Sequence, residues 1–353
     1  MRYLRQFAAL AALAALAAPA AAQQEGDKAP AFAAKSPVPA YHSLEKNLGK
    51  YYLYADGGFH ADWYVGYNNS WVIKLPPANL AGYVKAYIGA KLGRAKIKSW
   101  PNAWDTAVIP GKVYLALNSS PVFTSENTYF LVDANDIPRE PLPNDYLDGV
   151  DSARWFWTEV PLSRLASDKP NYMALWSTSR YFTSSSSSPI VAAAQADPAA
   201  GQAGDSVWLS RSIKGNAPSG DSAFDIPVSG LRPAIAVKLI PANSFKVYIK
   251  GFAAEVTDDD ITVNFSAIGE DIRAAWLEVS YDKFDWQRVT RYMFKSPYFW
   301  RFGREEISRD MFYLRAAAVD NLENVGYSKE VAVPAVRKGA AAAPVQPAEE
   351  EKE

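Results

Sequence analysis

The residue types that most often carry chemistry are sparse in this sequence, which has two histidines and no cysteine. A cysteine nucleophile and a thiolate metal site are excluded, and a histidine base has only His42 and His60 to draw on. His42 falls in a lead-in segment. His60 stands in Asp56-Gly-Gly-Phe-His60-Ala-Asp62, where two carboxylates flank an imidazole on a glycine-rich turn. That spacing could hold a cation or orient a base, and it equally suits a tight loop with capping aspartates. Gly-Asp-Ser occurs at Gly204-Asp205-Ser206 and again at Gly220-Asp221-Ser222. A nucleophile elbow needs Gly-x-Ser-x-Gly on a strand-to-helix turn, so both read as loops.

Oxygen ligands are denser. Asp133, Asn135 and Asp136, continued by Glu140, Asn144, Asp145, Asp148 and Asp151, crowd one stretch of chain. Ca2+ takes roughly six to eight oxygens at flexible geometry, so Asp133, Asn135, Asp136, Asp145, Asp148 and Asp151 are candidate calcium ligands, against a plain solvated loop. Asp258-Asp259-Asp260 reads as a solvated turn. Glycoside cleavage needs two carboxylates ~5 to 10 Å apart across a cleft. Glu159, just after Trp155-Phe156-Trp157, is the one carboxylate beside an aromatic strand, and no motif supports hydrolysis. The sequence is read as that of a non-enzyme, with no required cofactor and Ca2+ as the one candidate ion.

Aromatic rings are the remaining functional signal: eleven Trp, twenty Tyr and sixteen Phe. Sugars stack their C–H faces on such rings while their hydroxyls pair with polar neighbours. Most rings must fill cores. Trp71 and Trp176 alternate with apolar residues and are assigned to the interior. Trp100 and Trp104, in Ser99-Trp-Pro-Asn-Ala-Trp104, have no strand period and are candidates for a ligand-binding surface, as are Trp155 and Trp157. Tyr298-Phe299-Trp300 puts rings on both faces of one strand, and packing of Tyr298 with Trp300 between domains is expected.

These residues must be positioned by strands, because the apolar pattern has period two almost throughout. Trp71 to Leu75, Val84 to Leu92, Val113 to Leu117, Tyr129 to Val132, Tyr172 to Trp176, Val207 to Ile213 and Ile235 to Ile240 all alternate. Pro76-Pro77, Pro110-Gly111, Asp148-Gly149 and Gly215 to Gly220 punctuate them. About eight strands are expected across residues 41–243, with at most one helical turn at Leu162 to Ala166. Many short strands with long loops and no alternating helices predict an antiparallel sandwich. Ser184 to Ser188 and Ala192 to Gly204 show no core pattern and are read as a loop.

From residue 245 the spacing shortens. Strands are expected at Lys246 to Val256, Ile261 to Ala267, Ala275 to Tyr281, Trp286 to Thr290, Tyr298 to Phe302, Phe312 to Val319 and Lys329 to Val333, the count of an immunoglobulin-size sandwich. Phe312-Tyr-Leu-Arg-Ala-Ala-Ala-Val-Asp-Asn-Leu-Glu-Asn324, then Gly326-Tyr327-Ser328, resembles the end of a fibronectin type III or bacterial immunoglobulin-like domain; Leu277 to Asp282 and Trp286 resemble its central strand and following turn. The resemblance covers residues 245–335. Phe312 stands where such domains usually carry the tyrosine of the tyrosine corner. Residues 41–243, with Trp155-Phe-Trp157 and Leu175-Trp176-Ser177, are similar in texture to the jelly rolls of carbohydrate-binding modules and galactose-binding-like proteins. Together these imply an all-β protein, a large jelly-roll-like antiparallel sandwich followed by a seven-stranded fibronectin type III or immunoglobulin-like one.

The ends supply an address. Met1 to Arg5 is basic, Phe7 to Ala18 is apolar and Ala20-Ala21-Ala22 is small, the pattern of a secretory signal peptide over 1–22. Residues 23–40 read as a flexible lead-in and 336–353 as a disordered acidic tail. No later stretch reaches the ~20 apolar residues of a transmembrane helix, so a periplasmic or extracellular protein is expected. Formal net charge is −1, which gives no electrostatic case for nucleic acid. The leading function is non-catalytic binding of a glycan or cell-envelope component. The rivals are a structural or adhesive surface protein that works through protein partners, and a glycoside-active enzyme.

Overall fold

The computed structural model describes residues 38–52, 63–98, 107–140, 153–196, 206–243 and 245–336. Trp100, Trp104, His60, Asp145, Asp148, Asp151, the signal segment and the acidic tail lie outside the described residues. All named strand pairings are antiparallel, and among the described residues the helical pieces are 3-10 turns of three to five residues.

Among the described residues the first sandwich has thirteen strands. One sheet holds β1 (Ala40–Ser43), β3 (Tyr83–Gly93), β6 (Arg154–Val160), β8 (Ile190–Val191) and β13 (Ile235–Pro241), in the order β1-β13-β3-β6 with β8 also on β3. The other holds β2 (Ser70–Leu75), β4 (Lys112–Asn118), β5 (Thr128–Asp133), β7 (Asn171–Ser177), β10 (Val207–Ser210) and β11 (Ile226–Pro227), in the order β11-β10-β2-β7-β4-β5. A small ribbon pairs β9 (Ala193–Gln195) with β12 (Leu231–Pro233). The chain crosses repeatedly between sheets, which is why its connections are long.

Period-two alternation sets the core. Trp71, Ile73 and Leu75 of β2 and Ile88, Ala90 and Leu92 of β3 point between the sheets and are fully buried. The opposite face of the second sheet is covered as well: Val72, Ala116, Ala174 and Trp176 pack with Phe123, Ile213 and Ala223. Trp71 and Trp176 are thus interior, on opposite faces of one sheet. Part of the stretch read as a loop is a correction, because Ala192 to Ala194 are buried and Ala193–Gln195 pairs with Leu231–Pro233. Small residues carry little hydrophobic signal, which is why these alanines show no core pattern in sequence. His42 is likewise no lead-in residue; it lies in β1, and its Nε2 is 2.8 Å from the Pro76 carbonyl.

The second sandwich puts β14 (Tyr248–Val256), β15 (Asp260–Ile268) and β18 (Tyr298–Gly303) in one sheet. The other holds β16 (Ile272–Ser280), β17 (Gln287–Arg288) and β19 (Phe312–Asp320), with β20 (Val325–Tyr327) and β21 (Val331–Val333) both on β19. Its last strand is therefore split in two, and the remainder is an immunoglobulin-like order. Ile261, Val263, Phe265, Leu277, Phe312 and Leu314 form its core. Tyr298 and Trp300 pack into that same core while Phe299 faces solvent, so they do not bridge the sandwiches. Parity decides this, since residues two apart on a strand share a face.

Candidate functional site

β6 is an edge strand with two contrasting faces. Phe156 and Val160 point into the first core, while Trp155, Trp157 and Glu159 point outward. The two indoles stack nearly parallel, with ring centroids 5.0 Å apart and 13° between planes. Gly89 is the strand partner of Trp157 across the ladder. A Cβ at Gly89 would lie 2.3 Å from the indole, so the ring settles on backbone that only glycine leaves bare. Tyr41 comes within 5.9 Å of Trp157, and Tyr51 meets Trp155 edge-on at 5.9 Å.

Tyr41, Trp155 and Trp157 floor a groove of about 430 Å3. Lys91, Arg154, Leu48 and Gly49 border it on the side of the first sandwich, and Arg273, Phe294 and Asn321 of the second form its other wall. Lys91 donates to the Tyr51 carbonyl at 2.7 Å, and the Arg154 guanidinium lies 5.5 Å over the Phe294 ring. Every ionic side chain among the described lining residues is a cation.

Behind the groove the sandwiches are pinned by a buried ionic triad. The Lys238 ammonium has no exposed surface; it donates to Glu323 Oε1 at 2.8 Å and lies 5.2 Å from the Trp157 ring. Arg273 donates to the other Glu323 oxygen at 2.7 Å. Burial pushes the Lys238 ammonium below the usual lysine range, and Glu323 opposes that shift. Tyr87, whose hydroxyl donates to Glu159 at 3.2 Å, is pushed up by burial first and then by the charges of Glu323 and Glu159. Burial also raises Tyr41, with Glu323 adding to the effect.

Further along the same seam a second hollow of about 230 Å3 is lined by Asn135 to Arg139, Arg154, Arg291, Tyr292 and Phe294. The calcium candidates that are described do not converge there. Asp133 Oδ1 accepts from the backbone and side chain of Asn135 at 3.0 and 3.1 Å, capping a 3-10 turn over Ala134–Asp136. Asp136 accepts from both terminal nitrogens of Arg288, at 2.9 and 2.6 Å. Carboxylates engaged in this way are poor donors to a hard cation. Among the described residues, no group of three or more Asp, Glu or His is placed to hold a metal ion.

Of the four tryptophans singled out by sequence, the structure brings Trp155 and Trp157 together, while Trp100 and Trp104 lie outside the described residues. Sequence reasoning missed Tyr41, Gly89, Lys238, Arg273, Phe294 and Asn321. Two signals were present: a glycine in mid-strand and a lysine inside the apolar run Ile235 to Ile240.

No protein-family model matches the chain, and no curated protein sequence does. Among solved structures, the chain is similar to a β-1,2-glucanase from Parabacteroides distasonis at 13% identity and a TM-score of 0.24, covering 75% of this chain and 30% of that one. It is similar to a β-D-glucuronidase from Dictyoglomus thermophilum at 9% identity and a TM-score of 0.22, covering 86% of this chain and 45% of that one. The FN1–FN3 domains of chicken CNTN1 match at 11% identity and a TM-score of 0.24, over 73% and 68% of the two chains. The chain thus spans less than half the length of either enzyme. Likenesses this slight carry no argument about function.

Proposed function

We propose that the protein is an exported, non-catalytic glycan-binding protein whose site is the groove over Trp155 and Trp157, with a cell-envelope or extracellular glycan as its ligand. The observation that carries the reading is the parallel indole pair on the floor of a groove of about 430 Å3. Ligand sites typically enclose roughly 300–1,000 Å3 with a few convergent polar groups. Here the indoles offer apolar faces for sugar C–H groups, and Asn321, Lys91, Arg154 and Arg273 offer donors for hydroxyls. In this reading residues 41–243 are the binding sandwich, and the fibronectin type III-like residues 245–335 supply the second wall.

Binding without cleavage is supported by the lining. Hydrolysis needs an acid and a second carboxylate facing one bond, whereas the described lining residues contribute cations and an amide. Export rests on the basic, apolar and small-residue segments of residues 1–22. Among the described residues no helix is long and apolar enough to cross a membrane.

The test is a glycan array on the mature chain, residues 23–353, with and without chelator, followed by mass analysis of bound sugars. Retention that falls at least roughly tenfold in Trp157→Ala, as loss of one stacked ring implies, supports the reading. Equal retention by that variant removes the groove from the site, and released fragments would make the protein an enzyme.

A second reading, structural or adhesive, is favoured by the outer face of the β14-β15-β18 sheet, where Tyr248 and Phe299 are 60% and 62% exposed beside Ile268. It predicts self-association or a protein partner, lost in Phe299→Ser.

A further inference from the structure

The connection between β17 and β18, residues 289–297, is built into both sandwiches. Met293 pairs with Ala275 of β16 through backbone hydrogen bonds of 2.8 and 2.7 Å and packs against the second core. Tyr292 and Phe294, one residue to either side, pack against the first core instead. An extended segment sends neighbouring side chains to opposite faces in this way. Phe294 thereby becomes a wall of the groove, with the Arg154 guanidinium 5.5 Å from its ring.

The root of this arm is clamped. Arg288, the last residue of β17, donates from its two terminal nitrogens to the two carboxylate oxygens of Asp136, at 2.9 and 2.6 Å. Its guanidinium also lies 4.3 Å from the Tyr292 ring, whose centroid is 6.5 Å from that of Phe294. Asp136 is a fixed post, buried in the 3-10 turn that Asp133 caps in the first sandwich. A two-pronged contact sets angle as well as distance. A chain of contacts thus leads from Asp136 through Arg288 and Tyr292 to Phe294, although neither member of the clamp lines the groove.

Resting on the glycan-binding reading, we propose that Asp136 and Arg288 are positioning residues of that site, which hold Phe294 in place as the wall beside the bound sugar. The planar fork is what the wall requires. A lysine keeps the charge and loses the second prong.

The experiment exploits a chain without cysteine. Spin labels go on Lys50→Cys and Lys295→Cys, exposed positions next to the lining residues Gly49 and Phe294, and their separation is measured in the mature chain with and without Arg288→Lys. The parent should give one narrow distance and Arg288→Lys a broadened one. Unlabelled variants then go onto the glycan array, with thermal unfolding as the check on folding. Arg288→Lys should lower retention at least roughly tenfold, the worth of one charge-assisted hydrogen bond. Phe294→Ala should lower it as well, and the double variant should fall no further than Phe294→Ala, because one residue acts through the other. If Arg288→Lys does not fold, Asp136→Asn takes its place. An unchanged distance overturns the positioning role, and so do losses that add or a broadened distance with full retention. A parent that no glycan on the array retains, with a distance that still broadens in the variant, overturns the glycan reading and leaves the clamp on Phe294 standing.

Discussion

Lys238 and Glu323, 85 positions apart in the chain, meet at 2.8 Å in a site where the ammonium has no exposed surface. The contact ties a strand of the first sandwich to the turn after β19 in the second. Removing one member leaves a charge buried without its partner, which costs far more than the pair itself contributes. Glu323→Ala should therefore lower stability by about 3–5 kcal/mol. The double variant Lys238→Met, Glu323→Gln should recover part of that loss. Urea unfolding of both variants checks it, and equal stability of Glu323→Ala with the parent would show that water reaches the triad.

The bare backbone under Trp157 gives a second expectation. In Gly89→Ala the new methyl group meets the indole at 2.3 Å and the Phe156 carbonyl at 2.5 Å, so the ring must lift. Overpacking of this kind costs about 1–3 kcal/mol. It should also weaken glycan retention, since the floor of the groove moves. Thermal unfolding beside the array assay separates the two effects.

Alkaline pH should unfold the protein for a traceable reason. Burial raises the hydroxyls of Tyr41, Tyr51, Tyr87, Tyr292 and Tyr298 above the free tyrosine value. A folded-state value above the unfolded one means that the native state holds protons more tightly. The associated stability is whole below the ordinary tyrosine value near 10 and is lost as pH rises through the folded values. Denaturation midpoints followed from pH 9 upward should fall, and Tyr87→Phe should flatten the fall. A midpoint that does not move would contradict the burial of these hydroxyls.

Arg315 is clamped between rings, its guanidinium 3.9 Å from Trp286 and 4.1 Å from Tyr327, while Nε donates to Glu278 at 2.8 Å. Lysine cannot reproduce a planar cation that stacks on two faces and bonds at its edge. Arg315→Lys should cost about 1–2 kcal/mol, measurable by calorimetry of the purified chain.

How much was legible beforehand varied with strand length and environment. β2, β4 and β7 alternate over five or more residues, so Trp71 and Trp176 could be assigned to the interior from parity alone. Two-residue strands such as β8 and β11 give no period to detect. β13 hides its outward face differently: Lys238 sits in an apolar run because its sheet is covered on both sides, which erases the polar half of the alternation. The candidate site divided in the same manner. Trp155 and Trp157 announced themselves as spaced aromatics, but Arg273 and Asn321 come from another sandwich, and no local pattern brings residues 157 and 273 together.

The order of synthesis gives the covered sheet a consequence of its own. The face that carries Tyr41, Tyr87, Trp157 and Lys238 is complete once Pro241 has been made, whereas Arg273 and Glu323, which cover it, come later in the chain. A nascent chain halted between those points would present a sticky aromatic plate with a half-buried lysine in its middle. Truncation before residue 323 should therefore yield a fragment that clings to itself or to chaperones, and the later sandwich acts toward the earlier one as a built-in guardian of that plate.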